Sequence, residues 1–435
     1  MSEVVKKAAA ARQASYGLAK LSTEAKNTAL NTVANAIWTH RESLLKANQK
    51  DLEAANEILQ TGEITEAMMK RLALNTGKVQ GIVDMVRSVA SLDDPIGRTE
   101  YARELDEGLD LFRVTSPLGV VAVIFESRPD ALVQIASLCL KSGNSVLLKG
   151  GSEARHSNRK LHSIINEATG DLPEGWIQIM EARDEVTKLL ELDAYVDLII
   201  PRGSNAFVRY IQNNTRIPVL GHADGVCHIY VDSDADLNMA VEVCLDAKVQ
   251  YPSVCNAVDT ILIHEDIAQS FLAPMVDRLL SKDVEIRGGE RVLEMIDAEV
   301  KRATDDDWGY EYLDYIVALK VVSDAEEAII HINRYGSHHT DAVITGTAET
   351  AAYFIDSVDS ANVFWNASTR FADGYRYGLG SEVGISTGKI HARGPTGLEG
   401  LTIYRYILRG GGHIVADYVG EDARKFTHRP IDEEW

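Results

Sequence analysis

The chain has 435 residues, 45% of them hydrophobic and 25% charged, with a formal net charge of −21. This is the composition of a water-soluble protein with room for two or three domains. The negative balance argues against nucleic acid or an anionic membrane as a main partner, and no apolar run approaches the ~18–20 residues needed to span a bilayer.

Four cysteines, Cys139, Cys227, Cys244 and Cys255, form no CxxC pair, and three sit in apolar stretches. That usage reads as a reducing, cytoplasmic compartment rather than a disulfide scaffold. The N-terminus opens into an Ala-rich amphipathic helix and lacks the apolar stretch of a secretory signal.

Residues 1–92 are helical in pattern. Ser22 or Thr23 caps a helix whose Leu30, Val33, Ala34 and Ile37 share one face. Residues 100–115 read as two strands about an Asp106-Glu107-Gly108 turn. A second such pattern lies near the end, with strands at 401–408 and 413–418 about Gly410-Gly411-Gly412. These hairpins are either oligomer arms or sheet extensions within one subunit.

Between them runs an α/β alternation. Residues 119–125 are a continuous apolar strand, 129–141 a helix, and 145–149 the next strand, making a βαβ unit. Further strands are expected at 176–180, 196–200, 218–220, 260–264, 316–322, 342–345 and 361–365. The pattern is α/β in two parts, with a break near 221–232.

Several loops between these elements carry chemistry. Lys149-Gly150-Gly151-Ser152 and Arg202-Gly203-Ser204 are Gly-containing turns at strand ends, the second opening a helix; both suit a phosphorylated cofactor or are plain βα turns. Glu126-Ser127-Arg128 ends the apolar strand. Arg128 is either a clamp for carboxylate or phosphate, or a surface ion pair with Glu126 or Asp130. In Gly221-His222-Ala-Asp224-Gly225, His222 and Asp224 could pair; with no second ligand cluster, no metal is expected. His338, His339 and His391 read as polar surface or substrate contacts.

Tyr251-Pro252-Ser253-Val254-Cys255-Asn256 holds the most informative residue. Pro252 makes a loop, so Cys255 is either a partly exposed nucleophile or a small core residue. The segment 378–397 is dense in Gly, Ser and Thr, as in an ordered loop lining a site.

These segments together resemble the γ-glutamyl phosphate reductases of the aldehyde dehydrogenase superfamily. The matching blocks are Ser116–Pro129, Leu147–Gly151, Leu198–Gly203, Pro218–His228, Tyr251–Asn256, Glu311–Asp314, Ser337–Asp341 and the 378–397 loop. The resemblance runs from about residue 10 to 415. It implies an aldehyde dehydrogenase-like α/β fold. Residues 1–228 would be a Rossmann-type cofactor domain with a hairpin arm at 100–116. Residues 229–397 would be an α/β catalytic domain, and 398–435 an oligomerisation hairpin. No amino-acid kinase segment is seen ahead of it, so a monofunctional reductase is expected.

The implied reaction is the second step of proline synthesis from glutamate: NADPH reduces γ-glutamyl phosphate to glutamate 5-semialdehyde through a thioester on Cys255. The resemblance makes Cys255 and Asn256 catalytic and puts substrate at Ser127, Arg128, Gly221 and His222. It puts cofactor at Lys149, Gly150, Gly151, Ser152, Arg202, Gly203, Ser204 and Glu311. Ser152 stands where an acid often selects NAD, which implies NADPH. It further implies a cytoplasmic homo-oligomer with a functional link to glutamate 5-kinase. The competing expectation is a hydrolytic NAD(P)-dependent aldehyde dehydrogenase. Such enzymes carry a glutamate base that Val219-Leu220-Gly221-His222-Ala223 lacks. A catalytically silent protein on this fold is disfavoured by Cys255, Lys149 and Glu311.

Overall fold

The structure, a computed structural model, describes residues 2–59, 66–126, 128–181 and 184–435. The chain opens with helices α1 (Glu3–Leu18), α2 (Thr23–Thr39), α3 (Arg41–Leu59), α4 (Glu66–Leu72) and α5 (Thr76–Ser91). Ser22 caps α2, its hydroxyl accepting from the Ala25 N–H, and Leu30, Val33, Ala34 and Ile37 are all buried. This supplies one of the donors left over at a helix start and turns the apolar face inward.

Strands β1 (Thr99–Asp106) and β2 (Leu109–Pro117) form the expected hairpin. Gly108 in its turn has φ +72°, a conformation glycine takes without the strain a Cβ would bring.

The first parallel sheet is built from β3 (Val120–Ile124), α6 (Pro129–Lys141), β4 (Ser145–Lys149), α7 (Arg155–Ala168), β5 (Ile177–Met180), α8 (Asp184–Leu189), β6 (Leu198–Pro201) and α9 (Asn205–Asn213). Every residue of β3 and β4 is buried, which is why both read as unbroken apolar strands. The order is β5-β4-β3-β6. From β3 the chain steps outward to β4 and β5, then returns to lay β6 on the other side of β3. That reversal opens a crevice beyond the carboxyl ends of β3 and β6, the place where doubly wound sheets take ligands.

The second sheet comprises β7 (Cys227–Val231), β8 (Val258–His264), β9 (Glu285–Gly288), β10 (Lys301–Arg302), β11 (Ile316–Val322), β12 (Thr340–Ile344) and β13 (Asn362–Trp365). Its order is β10-β9-β11-β8-β7-β12-β13, parallel throughout. Helices α10 (Leu237–Val249) and α11 (Glu265–Leu280) flank β8. Strands β7, β9 and β10 have no counterpart among the sequence expectations. The chain then crosses back. Val383, Leu398 and Leu401 join the core formed by α2, α5, α6 and the first sheet, around a short pair β14 (Gly384–Ser386) and β15 (Gly394–Thr396).

Two expectations are corrected. The second hairpin does not form: β16 (Thr402–Arg409) pairs antiparallel with β2, Thr402 opposite Pro117 and Arg409 opposite Asp110, while Val415–Tyr418 is a 3-10 turn. The segment is fastened by side chains instead of a ladder. The Tyr418 hydroxyl donates to Asp106 at 2.9 Å, and Arg424 pairs with Asp106 at 2.5 Å. The outer edge of β1 is taken by β17 (Arg429–Pro430), giving the order β16-β2-β1-β17. Residues 218–220 form no strand either. Val219 makes one bridge to Ile199, and Pro218, lacking an N–H, cannot continue the ladder.

Candidate active site

Cys255 lies in the loop between α10 and β8, at the amino-terminal edge of the second sheet. Of the four cysteines three are buried and Cys255 is part-exposed. Burial pushes the thiols of Cys139, Cys227 and Cys244 up, so none of these three is poised as a nucleophile.

The loop of Cys255 is pinned from several directions. The Cys227 thiol approaches the Cys255 carbonyl at 3.2 Å, and the Asn256 amide donates to the Ala372 carbonyl at 2.8 Å. Asn256 is 4% exposed, so its amide group ties the loop to the segment beyond β13. Gly225 packs against the same loop so closely that a Cβ there would stand 2.3 Å from the Cys255 carbonyl oxygen and 2.4 Å from its Cβ. The glycine is demanded by this approach of two backbones. Behind it Asp259 accepts from the Cys227 and Tyr312 N–H groups at 3.3 and 3.2 Å and faces Lys248 at 3.6 Å. This joins the start of β7 to the segment carrying Glu311.

His222, Cys255 and His339 come together, one ligand atom of each within 4.8 Å of the others. The two imidazoles meet edge to face at 4.8 Å. His339 is fully buried, which removes the surface alternative of its reading and leaves that of a substrate contact. His222 does not pair with Asp224: its Nδ1 contacts the Ile385 carbonyl at 3.0 Å, and Asp224 is taken by Asn205 and Arg209.

Arg202 follows β6 and lies within electrostatic reach of Cys255, Arg128, Asp130 and Glu382. Burial and repulsion from Arg128 both weigh against its charge, and its Nη1 is buried with no hydrogen-bond partner among the described residues. A half-buried cation with a buried spare donor is a receptor for an anion. Arg128 itself pairs with Asp130 at 2.8 Å, the ion pair that its spacing allows. Glu382, on the 378–397 loop, is pushed up by burial and held back by the Gly374 N–H and Arg202. Ser127 lies outside the described residues.

The two turns expected to meet a phosphorylated group both lie at the carboxyl edge of the first sheet. Lys149 is 8% exposed and its ammonium donates to the Gly150 carbonyl at 2.7 Å. A Cβ on Gly150 would strike Asn158 at 2.2 Å. Ser152 is exposed at the head of a short 3-10 turn leading into α7. Gly203 and Ser204 lead into α9, and the Ser204 side chain makes no capping bond there. The first N–H groups of this nine-residue helix thus lack a side-chain cap, and such a terminus favours an anion. Asn205 in its first turn also donates to Glu311 at 3.2 Å. Burial raises the Glu311 carboxyl, opposed by Asn205 and the Gly225 N–H. Glu311 and Gly221–Gly225 are therefore joined to both the α9 terminus and the Cys255 loop.

The comparisons agree with this geometry. Residues 2–289 match the model of the aldehyde dehydrogenase family. A γ-glutamyl phosphate reductase of Natronomonas pharaonis is 58% identical over 98% of this chain and 97% of that protein. The chain belongs to the γ-glutamyl phosphate reductases of the aldehyde dehydrogenase family.

Another reductase of the family, from Acetivibrio thermocellus, is 52% identical over 98% of this chain and 97% of that protein. The crystal structure of a γ-glutamyl phosphate reductase from Thermotoga maritima superimposes with TM-score 0.92 at 40% identity, covering 95% of this chain and all of that one. An acetylating aldehyde dehydrogenase from Geobacillus thermoglucosidasius shares the fold, with TM-score 0.64 at 17% identity over 95% of this chain and 97% of that one.

An aldehyde dehydrogenase works with a nicotinamide cofactor, and the residues here fit one. Gly150 has no room for a side chain, Lys149 brings a buried positive charge, and the α9 terminus presents N–H groups beside Glu311. Sequence reading gave Arg202 to the cofactor and left His339 between surface and substrate contact; their nearness to Cys255, and Gly225 as a close-packing glycine, are what it did not assign.

Proposed function

We propose that this chain reduces L-γ-glutamyl phosphate to L-glutamate 5-semialdehyde with release of phosphate, the second step of proline synthesis from glutamate. The observation that carries the reading is Arg202, a half-buried cation whose buried Nη1 is a spare donor, within electrostatic reach of the part-exposed Cys255. Hydrolytic attack on an aldehyde leaves such a cationic donor near the nucleophile without a task, whereas displacement of phosphate uses it.

The Cys255 thiolate attacks the acyl carbon and expels phosphate toward Arg202 and Arg128, leaving a thioester. Backbone N–H groups of the Cys255 loop stabilise the oxyanion, and Asn256 keeps that loop in place through Ala372. When bound, the nicotinamide supplies the hydride that releases the aldehyde and frees the thiolate. Val219–Ala223 offers no carboxylate to activate water, and the nearby Asp224 is occupied by Asn205 and Arg209. A thioester is therefore spared hydrolysis, which favours this reading over the hydrolytic aldehyde dehydrogenase.

Lys149, Gly150, Gly151, Ser152, Gly203, Ser204 and Glu311 are assigned to the cofactor, and Cys255, Arg128, Arg202, Gly221 and His222 to the reacting end. Ser152 presents no acid to a 2′-phosphate, which favours NADPH. Of the expected parts, the cofactor part ends before β7, at about residue 226 rather than 228, because β7 already belongs to the second sheet; the catalytic part gives up Val383 to the first core, and 398–435 is the assembly segment apart from Leu398 and Leu401, which pack there too. The exposed Tyr404, Tyr406 and Leu408 of β16 suit a homo-oligomer contact. An acyl phosphate is labile, so a kinase acting on glutamate is the expected supplier, in the cytoplasm. Among the described residues no helix is long and apolar enough to cross a membrane.

The test is oxidation of glutamate 5-semialdehyde with NADP+. Multiple turnover requires phosphate or arsenate, because general-base activation of water, worth ~10²–10⁴-fold, is missing. Sustained full-rate oxidation in phosphate-free buffer would identify water as the natural acceptor and overturn the assignment.

A further inference from the structure

A cavity of about 170 Å³ is lined by Asp246, Gln250, Arg370, Phe371 and Arg376, on two segments that adjoin the Cys255 loop. It is too small for a drug-sized ligand, whose pockets run ~300–1,000 Å³, and has the scale of the head of one amino acid. Its two walls are both anchored to Cys255. One wall is the end of α10 with the residue that follows it: Asp246 and Gln250 stand four residues apart on one helical face, Gln250 five residues before Cys255 in the chain. The other is the segment 370–376, which the Asn256–Ala372 bond fastens to the Cys255 loop.

The charges of this cavity are arranged in a particular way. Arg370 is 8% exposed, its Nε donates to Gln250 at 3.0 Å, and it feels the charge of Cys255. Arg376 stands close by, donating to the Arg370 carbonyl at 3.0 Å. Burial first and repulsion from Arg376 second disfavour the charge on Arg370, while Asp373 and Asp246 partly offset them. Arg376 meets Asp373 in a long ion pair at 3.6 Å, and two guanidinium groups beside one cavity, one of them buried, make a site that can accept an entering carboxylate. Asp246 is exposed and places a negative charge among the lining residues.

We propose that this cavity receives the free α-amino-acid head of the substrate, with Arg370 and Arg376 taking the α-carboxylate and Asp246 the α-ammonium. The proposal rests on the reductase reading above and deepens it. Three carbon–carbon bonds separate the reacting carbonyl of a γ-glutamyl group from its α-carbon, so a head held here presents the carbonyl to Cys255. The phosphate then points away, toward Arg202 and Arg128. Selection among aldehydes is done at the head, since a lost carboxylate leaves the buried Arg370 guanidinium without its anion.

The experiment compares three aldehydes at saturating NADP+ and phosphate: glutamate 5-semialdehyde, 4-aminobutanal without the carboxylate, and 5-oxopentanoate without the amine. In the wild type, kcat/KM for glutamate 5-semialdehyde exceeds that for either analogue. Arg376→Gln lowers its preference over 4-aminobutanal by roughly ten- to a hundredfold, the worth of a charge-assisted hydrogen bond. Arg370→Gln does the same where it folds, and Arg376, less enclosed, keeps the test alive where it does not. Asp246→Asn lowers the preference over 5-oxopentanoate and not that over 4-aminobutanal. Preference ratios that stay within twofold of wild type in Arg376→Gln and Asp246→Asn overturn the head pocket alone. A wild type that fails to turn over glutamate 5-semialdehyde with phosphate overturns the reductase reading and this proposal with it.

Discussion

Gly225→Ala tests the close contact behind the nucleophile. The new methyl carbon would lie 2.3 Å from the Cys255 carbonyl oxygen, 2.4 Å from its Cβ and 2.6 Å from its Cα. Ordinary contact begins at 3.4 Å, so the loop must retreat by about 1 Å. None of the atoms struck belongs to the far end of a flexible side chain. The loop is also held by Cys227 at 3.2 Å and by the Asn256–Ala372 bond at 2.8 Å, so retreat is shared by all of them. A misplacement of this size at a reacting group costs roughly 10²-fold in rate, and forced overpacking costs about 1–3 kcal/mol of stability. We expect kcat for phosphate-dependent oxidation of glutamate 5-semialdehyde to fall about a hundredfold in a protein that still folds. Gly81→Ala is the control: nothing lies within 4 Å of its new methyl, and it sits on helix α5. The measurements are kcat and the thermal midpoint of both variants beside wild type. A folded Gly225→Ala with near wild-type kcat would refute the view that this contact positions Cys255.

Cys255→Ser should bind nucleotide yet lose turnover by orders of magnitude, because an alkoxide is far harder to form than a thiolate; a serine variant of undiminished kcat would exclude the thioester. Ser152→Glu should raise KM for NADPH about fivefold through repulsion of a 2′-phosphate, with KM for NADH unmoved; equal shifts for both nucleotides would remove Ser152 from the adenosine end. Asp94 pairs with the buried Lys26 at 2.8 Å. Burial opposes its charge, but Lys26, the Ile96 N–H and Thr23 together hold the carboxyl below its ordinary value. The stability from that depressed value is present above the unfolded value near ~3.9 and is lost as pH falls through the lower folded one. Asp94→Ala strands the Lys26 ammonium and should cost ~3–5 kcal/mol near neutral pH, with the gap to wild type narrowing in acid below that value. Urea midpoints from pH 7 down to pH 3 read this directly, and a gap constant across the range would contradict it.

The elements that sequence alone makes legible are those whose physics is local. Strand β3, helix α6 and strand β4 are readable because unbroken burial forces unbroken apolar runs and Pro129 sets the helix start. Cys255 is legible because Pro252 makes a loop and polar neighbours flank the thiol. Strand β7 hides because His228 interrupts its apolar run. That imidazole is buried, and the His228 backbone N–H and ring Nδ1 both meet Asp341, a partner 113 residues away, at 2.8 and 2.9 Å. His339, open to a surface or a substrate-contact reading, is the same case until the structure puts it at 0% exposure, and Arg370, at 8%, carries no local signal at all. The terminal hairpin was suggested by β-forming residues, but local preference yielded to the pairing of β16 with β2 and to the side-chain anchors on Asp106.

That pairing of β16 with β2 sets an order of assembly during synthesis. Ser116 meets Ile403 across 287 positions of chain, and Leu401 enters the core that α2 and α6 begin. Loops of that span are slow to close, and the contacts rewarding closure come last. While a ribosome is still making the second sheet, β2 presents one bare edge of unpaired N–H and C=O groups, and the first core lacks its last apolar residues. An emerging chain in that condition is open to pairing with its neighbour. The growing polypeptide is therefore most exposed to misassociation just before its final forty or so residues emerge, and substitutions that weaken β16 should show as aggregation in cells before they show as lost activity in the purified protein.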